Sequence, residues 1–342
     1  GGASQIIFLQ LFSAGASSLV ILSSVGAVNS RHLLYGAVLS EHMSDFKMTW
    51  KIIISYFLVD QAFAVTNSYL KKRGENLIYY IPDRYEEGYG VSQKGMELAI
   101  QQKVDLIITL DCGIKNKAEL DFAAENGIDI IVCDHHEPGD ELPKAIILNP
   151  KQKGCTYPFK DLCGCGVGFK FIQALQKSKN WSEEEVMNLL DFVAVAIGAD
   201  LVTVVDENRI LAAEGMKRFN QNTRKNFEKL LEIAGKTKPL SLTDVVFTIA
   251  PRINAAGRIN LGSDAVRLMI SEDDDEIAFF ANSINEHNTE RRALDETITK
   301  EALEIISSDV NFENKKSTVV YKEGWSKGVV GIVASRLIER HF

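Results

Sequence analysis

Apolar residues along this chain form short β-branched runs that alternate with segments whose apolar positions recur at helical spacing. The clearest case lies between residues 104 and 136, where two such runs frame a polar segment of helix length. A strand, a helix and a second strand in this order predict a β-α-β unit with parallel strands. Further short apolar runs at residues 51–60, 77–81 and 145–148 predict additional strands. The pattern therefore predicts an α/β fold built on a doubly wound parallel sheet.

The last quarter of the chain has a different pattern. Residues 272–311 contain no Gly or Pro, and their apolar positions keep helical spacing throughout, which predicts one long connecting helix. Acidic residues directly after Ser271 favour a helix start there, because they complement the positive end of the helix dipole. Beyond this helix, residues 317–321 predict a strand that begins a second α/β domain.

Length and charge limit the possible functions. The 342 residues are enough for two domains, and the net charge of −8 excludes a generally basic nucleic-acid-binding protein. A nucleic-acid site here would need a local basic groove or a metal ion that carries the positive charge. The five cysteines lie between residues 112 and 165 without the spacing of a disulfide framework, which favours a reducing cytoplasm. Cys163 and Cys165 lack a second cysteine pair, so we interpret them as buried small residues rather than zinc ligands.

The N-terminal stretch is unlike the rest of the chain. Residues 1–30 carry no charged side chain, and the apolar stretch at residues 6–28 is long enough to span a bilayer. Ser and Gly interrupt this stretch, and no positively charged segment precedes it, so it is not a clear signal peptide. A buried segment and a membrane span both remain open. We leave residues 1–50 unassigned and expect no membrane partner.

Acidic and imidazole side chains close the two apolar runs of the β-α-β unit. Asp111 follows the first run, and Asp134, His135 and His136 follow the second. Because parallel strands end at one edge of a sheet, we expect these side chains to converge on a single crevice. Carboxylates with imidazole suit Mn²⁺ or Mg²⁺ better than a thiolate-rich zinc site. The alternative is that Asp111 only caps a helix and that the histidines have no shared role.

Three further segments are candidates for the same site. Asp200 ends an apolar helical segment at residues 186–200, and an acid in such a setting needs a partner or a metal. The glycine-rich stretch containing Gly164 and Gly166 opens a helix, where backbone N–H groups can approach an anion. The stretch Pro251–Arg258 offers donors that match phosphate oxygens, and its alternative is a structural turn with exposed arginines.

Several of these stretches resemble a known family. Asp134-His135-His136, followed by Glu-Pro-Gly, resembles the signature of the DHH phosphoesterases, and residues 107–114 resemble their second acidic motif. Residues 251–258 and 285–292 resemble the RecJ-type single-strand DNA exonucleases within that superfamily. The resemblance implies a DHH domain at 51–265, a connecting helix at 266–312 and the truncated start of a substrate-binding domain at 313–342.

The resemblance also implies an activity. It implies two-metal hydrolysis of phosphodiester bonds in single-stranded DNA from the 5′ end, with Mn²⁺ or Mg²⁺, in cytoplasmic DNA repair and recombination. Asp111 would bridge the ions, and His135 and Asp200 would hold one of them. His136 would contact the phosphate, and Asp134 would orient the histidines. The implied clamp on the DNA backbone consists of Arg252, Asn254 and Arg258. A single-strand-binding protein or a helicase is the implied protein partner.

One motif departs from the family pattern. At residues 56–61, where the family places three acids, the chain reads Tyr-Phe-Leu-Val-Asp-Gln, so only Asp60 remains as a further candidate ligand. Tyr56 and Leu58 cannot supply carboxylate oxygens, and we expect little nuclease activity from this chain as written. Two alternatives therefore stay open. One is a DHH phosphodiesterase acting on short RNA or cyclic dinucleotides, and the other is a DNA-binding protein that has lost its metal centre.

Overall fold

A five-stranded parallel sheet forms the centre of the protein. The computed structural model describes residues 52–55, 77–83, 86–200, 202–259, 262–308 and 317–341. The strands lie in the order β2-β1-β3-β4-β5, and every neighbouring pair is parallel. They are β1 (Ile52–Ser55), β2 (Leu77–Tyr80), β3 (Leu106–Leu110), β4 (Asp129–Cys133) and β5 (Ile146–Leu148). The predicted α/β fold with a parallel sheet is confirmed. The apolar stretch at residues 6–28 and the motif at 56–61 lie outside the described residues.

Twelve helices accompany the sheet among the described residues. They are α1 (Gln93–Gln101), α2 (Lys117–Glu125), α3 (Gly164–Lys179), α4 (Glu183–Met187), α5 (Leu190–Asp200), α6 (Asp206–Gln221), α7 (Lys225–Ile233), α8 (Leu242–Thr248), α9 (Ala250–Ile259), α10 (Ser263–Ile270), α11 (Asp274–Ser308) and α12 (Val330–His341). The prediction of a single helix at residues 186–200 is wrong, because this segment contains the end of α4 and a separate helix, α5. Asn188 caps α4, and α5 begins two residues later.

Both faces of the sheet are covered, which explains the continuous apolar runs in its strands. In β3, Ile107 belongs to a core with Met96 of α1 and Leu120 of α2. Its neighbour Ile108 belongs to a larger core on the opposite face, together with Phe169 of α3. Alternate side chains of one strand therefore enter different hydrophobic layers, and the sheet is doubly wound.

The strand order positions a crevice at the carboxyl edge of the sheet. β1 pairs with β2 on one side and with β3 on the other, so the order of the strands reverses between β1 and β3. Ligands of open parallel sheets bind at such a switch point, beyond the carboxyl ends of the strands. Asp111 and Asp134 directly follow β3 and β4 at this edge.

The chain forms two compact units, and the boundary between residues 287 and 288 lies within α11. This 35-residue helix is the long helix predicted from the sequence. In the second unit, Glu301 of α11 accepts hydrogen bonds of 2.6 Å from Lys322 Nζ and from Trp325 Nε1. The strand predicted at residues 317–321 is wrong, since these residues are irregular and the side chain of Val319 is 92% exposed. In the part of the chain that the structure describes, no strand lies beside this segment to pair with it.

All five cysteines are free thiols. Among the residues that the structure describes, no helix combines the length and hydrophobicity that crossing a membrane requires.

Candidate metal centre at the carboxyl edge of the sheet

Asp111 occupies a tight turn directly after β3. Its φ angle of +63° is in the left-handed region, which non-glycine residues rarely adopt, although Asp tolerates it better than most. Its backbone N–H donates to the carbonyl of Cys133 at 2.7 Å, so the residue is still tied to β4. Gly113 follows with a φ of +101°, and a side chain there would collide with Thr109 Oγ1 at 2.6 Å. The turn therefore holds the Asp111 side chain in a fixed, buried position.

Asp134 organises the turn that carries the two histidines. Its Oδ1 accepts hydrogen bonds from the backbone N–H of His135 at 2.7 Å and from the N–H of His136 at 3.1 Å. The same oxygen accepts from Nδ1 of His136 at 2.7 Å, while Oδ2 accepts from the N–H of Ile114 at 3.0 Å. Burial raises the pKa of Asp134, but the bond and charge of His136 outweigh burial and leave that pKa below its usual value. The carboxylate is therefore ionised and fully used as an acceptor.

His135 lies between two acidic residues. Its Nδ1 donates to the carbonyl of Leu162 at 3.0 Å, which leaves Nε2 directed at the carboxylates. Nε2 lies 3.0 Å from Asp111 Oδ1 and 3.5 Å from Asp200 Oδ2. Burial lowers the pKa of His135, but the hydrogen bond and charge of Asp111 and the charge of Asp200 together raise it to about 9. The imidazole therefore carries a positive charge at neutral pH.

The two carboxylates around His135 have unsatisfied oxygens. Asp111 Oδ1 and Asp200 Oδ2 are buried, and within the described structure no hydrogen bond reaches either one apart from its contact with Nε2 of His135. Burial raises the pKa of Asp111, although His135 opposes this shift. Burial, followed by the charge of Asp111, raises the pKa of Asp200 to about 6. The nearby imidazoles lower the pKa of both carboxylates, and Lys151 also lowers that of Asp200, but burial outweighs these charges.

This donor set fits a divalent cation. One ligand atom each from Asp111, His135 and His136 lies within 4.8 Å of the others, and Asp200 approaches His135 from a separate helix. Carboxylate oxygens combined with imidazole nitrogen are ligands for Mn²⁺ and Mg²⁺. Burial of two carboxylates is costly unless a cation or hydrogen bonds compensate for it. The residues present are therefore suited to hold such an ion.

Helix α3 begins against the Asp111 side chain. A Cβ atom at Gly164, the first residue of α3, would lie 1.9 Å from Asp111 Oδ1, so only glycine fits there. Gly166 donates its N–H to Cys163 Sγ at 3.2 Å, and this contact caps the helix. The structure thus places Gly164 against Asp111, where the lack of a side chain makes room for the carboxylate.

The predicted backbone clamp lies on helix α9. Arg252 donates from Nε to Asn285 Oδ1 at 3.1 Å and from Nη1 to the carbonyl of Thr248 at 2.6 Å. Asn254 donates to the carbonyl of Ala199, the neighbour of Asp200, at 3.3 Å. Asn254 is thereby connected to the end of α5 that carries Asp200. The side chain of Arg258 lies outside the described part of the structure.

Sequence reasoning missed two residues that contact His136. Asn149 donates from Nδ2 to the carbonyl of His136 at 2.9 Å, and Tyr89 OH lies 3.3 Å from His136 Nε2. The signal for Asn149 was its position directly after β5, at the same edge of the sheet. Tyr89 stands between two glycines with positive φ angles, which marks a specially shaped loop.

The parallel sheet with its Asp-His-His turn and buried acids defines a protein of the DHH class. A family model described as "DHH family, N-terminal domain" matches residues 53–197. A second family model, described as "AzlC protein", matches residues 1–85 and overlaps the first.

Relatives with curated names specify the class further. The single-stranded-DNA-specific exonuclease RecJ of Bacillus subtilis is 41% identical over 275 residues, which cover 80% of this chain and 34% of that protein. The RecJ of Escherichia coli is 35% identical over 309 residues, covering 84% of this chain and 53% of that protein. The chain therefore spans between about a third and a half of these relatives.

Solved structures give the same result. A crystal structure of exonuclease RecJ bound to manganese matches with a TM-score of 0.75 and 32% identity, covering 85% of this chain and 72% of that one. RecJ from Thermus thermophilus in complex with Mn²⁺ matches with a TM-score of 0.72 and 29% identity, covering 85% of this chain and 42% of that one. This chain belongs to the RecJ family of DHH proteins.

Proposed function

We propose that this chain contains the metal-dependent catalytic centre of a nuclease that hydrolyses phosphodiester bonds in single-stranded DNA. The observation that carries the proposal is the convergence of Asp111 and Asp200 on one imidazole, with buried carboxylate oxygens that have no recorded hydrogen bond apart from their contacts with that imidazole. Relatives named as single-stranded-DNA-specific exonucleases support the substrate, and related structures with Mn²⁺ or Mg²⁺ support the cofactor.

Asp111, His135 and Asp200 would hold the ion in this proposal, and Asp60 is a further candidate ligand from the sequence. A bound divalent cation supplies an activated water and offsets the charge that develops on the phosphate. The proposed chemistry uses two such ions, and Asp111 would help to hold both of them.

The chain's own residues prepare the site for this chemistry. The carbonyl of Leu162 holds the proton on Nδ1 of His135, so that Nε2 is directed at the carboxylates. Asp134 fixes both histidines through their backbone N–H groups, and partners of this kind tune and orient metal ligands. We propose that His136, whose side chain is 37% exposed, contacts the substrate phosphate.

Substrate positioning is proposed for two further groups. The N-terminus of α3 at Gly164 and Gly166 lies beside Asp111, and the positive end of a helix favours a phosphate. Arg252, Asn254 and Arg258 of α9 are proposed to contact the DNA backbone.

The wider assignments follow from the family and are part of the proposal. We propose cleavage in the 5′ to 3′ direction, a cytoplasmic role in DNA repair and recombination, and a single-strand-binding protein or a helicase as partner. We also propose a DHH domain at 51–265, a connecting helix at 266–312 and a substrate-binding domain that begins at 313–342, with residues 1–50 unassigned.

The test is release of nucleotides from 5′-labelled single-stranded DNA in the presence of Mn²⁺. Asp111→Ala and His135→Ala should abolish release, whereas Lys225→Ala, which removes an exposed ion pair with Asp274, should not change it. Cleavage that survives both site substitutions would refute the proposed centre. Preferential hydrolysis of short RNA or a cyclic dinucleotide would reassign the substrate.

A second candidate function is DNA binding without hydrolysis. It is favoured by Tyr56 and Leu58, which replace acids of the family motif. DNA binding without any cleavage, together with a melting temperature that Mn²⁺ does not change, would support this candidate. Brisk cleavage would exclude it.

A further inference from the structure

We propose that Tyr89 is a positioning residue for His136, an inference that rests on the hydrolysis proposed above. Tyr89 OH lies 3.3 Å from Nε2 of His136. The two rings meet edge to face, with centroids 6.2 Å apart and an angle of 82° between their planes. The contact joins residues that are 47 positions apart in the sequence.

The bond on the other side of the imidazole determines which ring nitrogen meets Tyr89. Nδ1 of His136 lies 2.7 Å from Asp134 Oδ1, which also accepts two backbone N–H groups. Because an ionised carboxylate only accepts, Nδ1 must carry the proton. Nε2 is then the ring nitrogen that faces the Tyr89 hydroxyl, so His136 has a polar partner at each ring nitrogen.

The loop that carries Tyr89 is fixed by an internal carboxylate. Glu87 Oε2 accepts from Tyr80 OH at 2.6 Å and from Ser92 Oγ at 2.7 Å. Its other oxygen accepts from the backbone N–H of Asp83 at 3.1 Å. Three donors from separate parts of this region therefore hold the residue two positions before Tyr89.

The glycines on either side of Tyr89 fit this loop against the metal-binding edge. Gly88 and Gly90 have φ angles of +88° and +90°, which other residues rarely adopt. A Cβ atom at Gly90 would lie 2.5 Å from Asn116 Oδ1. Asn116 in turn donates from Nδ2 to the carbonyl of Val91 at 3.1 Å, which connects the loop to the segment that follows Asp111.

The consequence concerns the imidazole that faces the substrate. Without the Tyr89 hydroxyl, Asp134 would hold only one nitrogen of His136, and the ring would be less restricted. The orientation of a catalytic imidazole matters most in the transition state. Loss of the fixed His136 orientation should therefore lower kcat more than it changes KM. We expect a three- to ten-fold decrease in kcat, roughly the factor that one hydrogen bond contributes.

The experiment compares Tyr89→Phe with Tyr157→Phe in the full chain. Tyr157 is the matched control, because its hydroxyl donates to Glu207 at 2.7 Å rather than to a histidine. Cleavage of single-stranded DNA with Mn²⁺ gives kcat and KM, and ¹⁵N NMR of the histidine side chains without DNA reports on Nε2 of His136. Tyr89→Phe should lower kcat and shift the His136 Nε2 resonance, and Tyr157→Phe should do neither.

Three results would overturn the inference. An unchanged His136 resonance in Tyr89→Phe would show that the Tyr89 hydroxyl does not contact His136, whether or not the chain cleaves DNA. An equal loss of kcat in Tyr157→Phe would show a general effect of losing a hydroxyl. A normal kcat in Tyr89→Phe with a raised KM in Tyr89→Ala would assign the ring to substrate stacking instead. A wild-type chain without cleavage would refute the proposed function, while the NMR comparison would still decide the contact.

Discussion

Replacing Gly164 with Ala should abolish the response of this protein to Mn²⁺. The new Cβ would lie 1.9 Å from Asp111 Oδ1 and 2.3 Å from its Cγ. Ordinary contact begins at 3.4 Å, so the carboxylate would have to retreat by the difference, about 1.5 Å. Metal–ligand distances tolerate only about 0.2 Å, which is several times smaller than this displacement.

Asp111 has little freedom to adapt to the new methyl group. Its φ angle is +63°, and its N–H is bonded to the carbonyl of Cys133. Overpacking of this kind costs about 1–3 kcal/mol, which lowers the melting temperature of a domain of this size by about 2–12 °C. The substitution should therefore both destabilise the fold and remove the ligand geometry.

Gly215→Ala separates these two effects. A Cβ at Gly215 of α6 would lie 2.1 Å from the carbonyl oxygen of Leu190 and 2.7 Å from Cβ of Ala194, both in α5. This variant should lose comparable stability, because backbone as well as side chain must move. The overpacking lies at Leu190 and Ala194, ten and six residues before Asp200 in α5, rather than against Asp111, so the variant should keep its response to Mn²⁺.

The assay is thermal unfolding with and without Mn²⁺, each against a metal-free sample. At an ion concentration about 100 times Kd, the wild type should gain about 2.7 kcal/mol, or roughly 5–11 °C in Tm. Gly215→Ala should show the same gain from a lower starting Tm, and Gly164→Ala should show none. A full Mn²⁺ response in Gly164→Ala would refute the reasoning that places the ion at Asp111.

Three more outcomes are expected. Asp134→Asn should weaken Mn²⁺ binding by about 10–100-fold in calorimetry, because the amide carries no charge and has one acceptor oxygen in place of two; unchanged affinity would contradict this. Arg224→Met leaves the buried Asp191 without its cation, and urea unfolding should show a loss of about 3–5 kcal/mol near pH 8. Burial already raises the pKa of Asp191 despite Arg224, so the loss should shrink towards pH 5 as the acid is protonated; an equal loss at both pH values would count against it. Restoring Asp at both Tyr56 and Leu58 should increase Mn²⁺-dependent cleavage, and an unchanged rate would show that these positions do not limit it.

The sheet and its acidic edge were predictable because they depend on local composition. β-Branched runs that are buried on both faces have few alternatives to parallel strands, and acids after two such strands must emerge at one edge. The same logic fails where a strand lacks neighbours. Residues 317–321 have the composition of a strand, but β-propensity reflects packing against adjacent strands, and the described structure provides none there.

The contacts inside the site were not predictable, because they join distant segments. The carbonyl of Leu162 that orients His135 lies 27 residues away in sequence, and a carbonyl has no signature in the sequence. Gly164 was expected to approach a phosphate, and the structure shows that it makes room for Asp111. Such facts depend on how helix α3 crosses the end of β3, which neither propensity nor periodicity determines.

The charge at this edge explains why an acidic protein of the RecJ family would depend on a metal ion. Asp111 and Asp200 carry two negative charges when ionised, and protonated His135 offsets only one of them. A phosphate approaching such a site would meet net negative charge in surroundings that screen it poorly. A divalent cation beside a neutral His135 would bring the three residues and the ion to zero. With a net charge of −8, the chain as a whole supplies no general attraction for DNA, so the local cation has to make the approach possible.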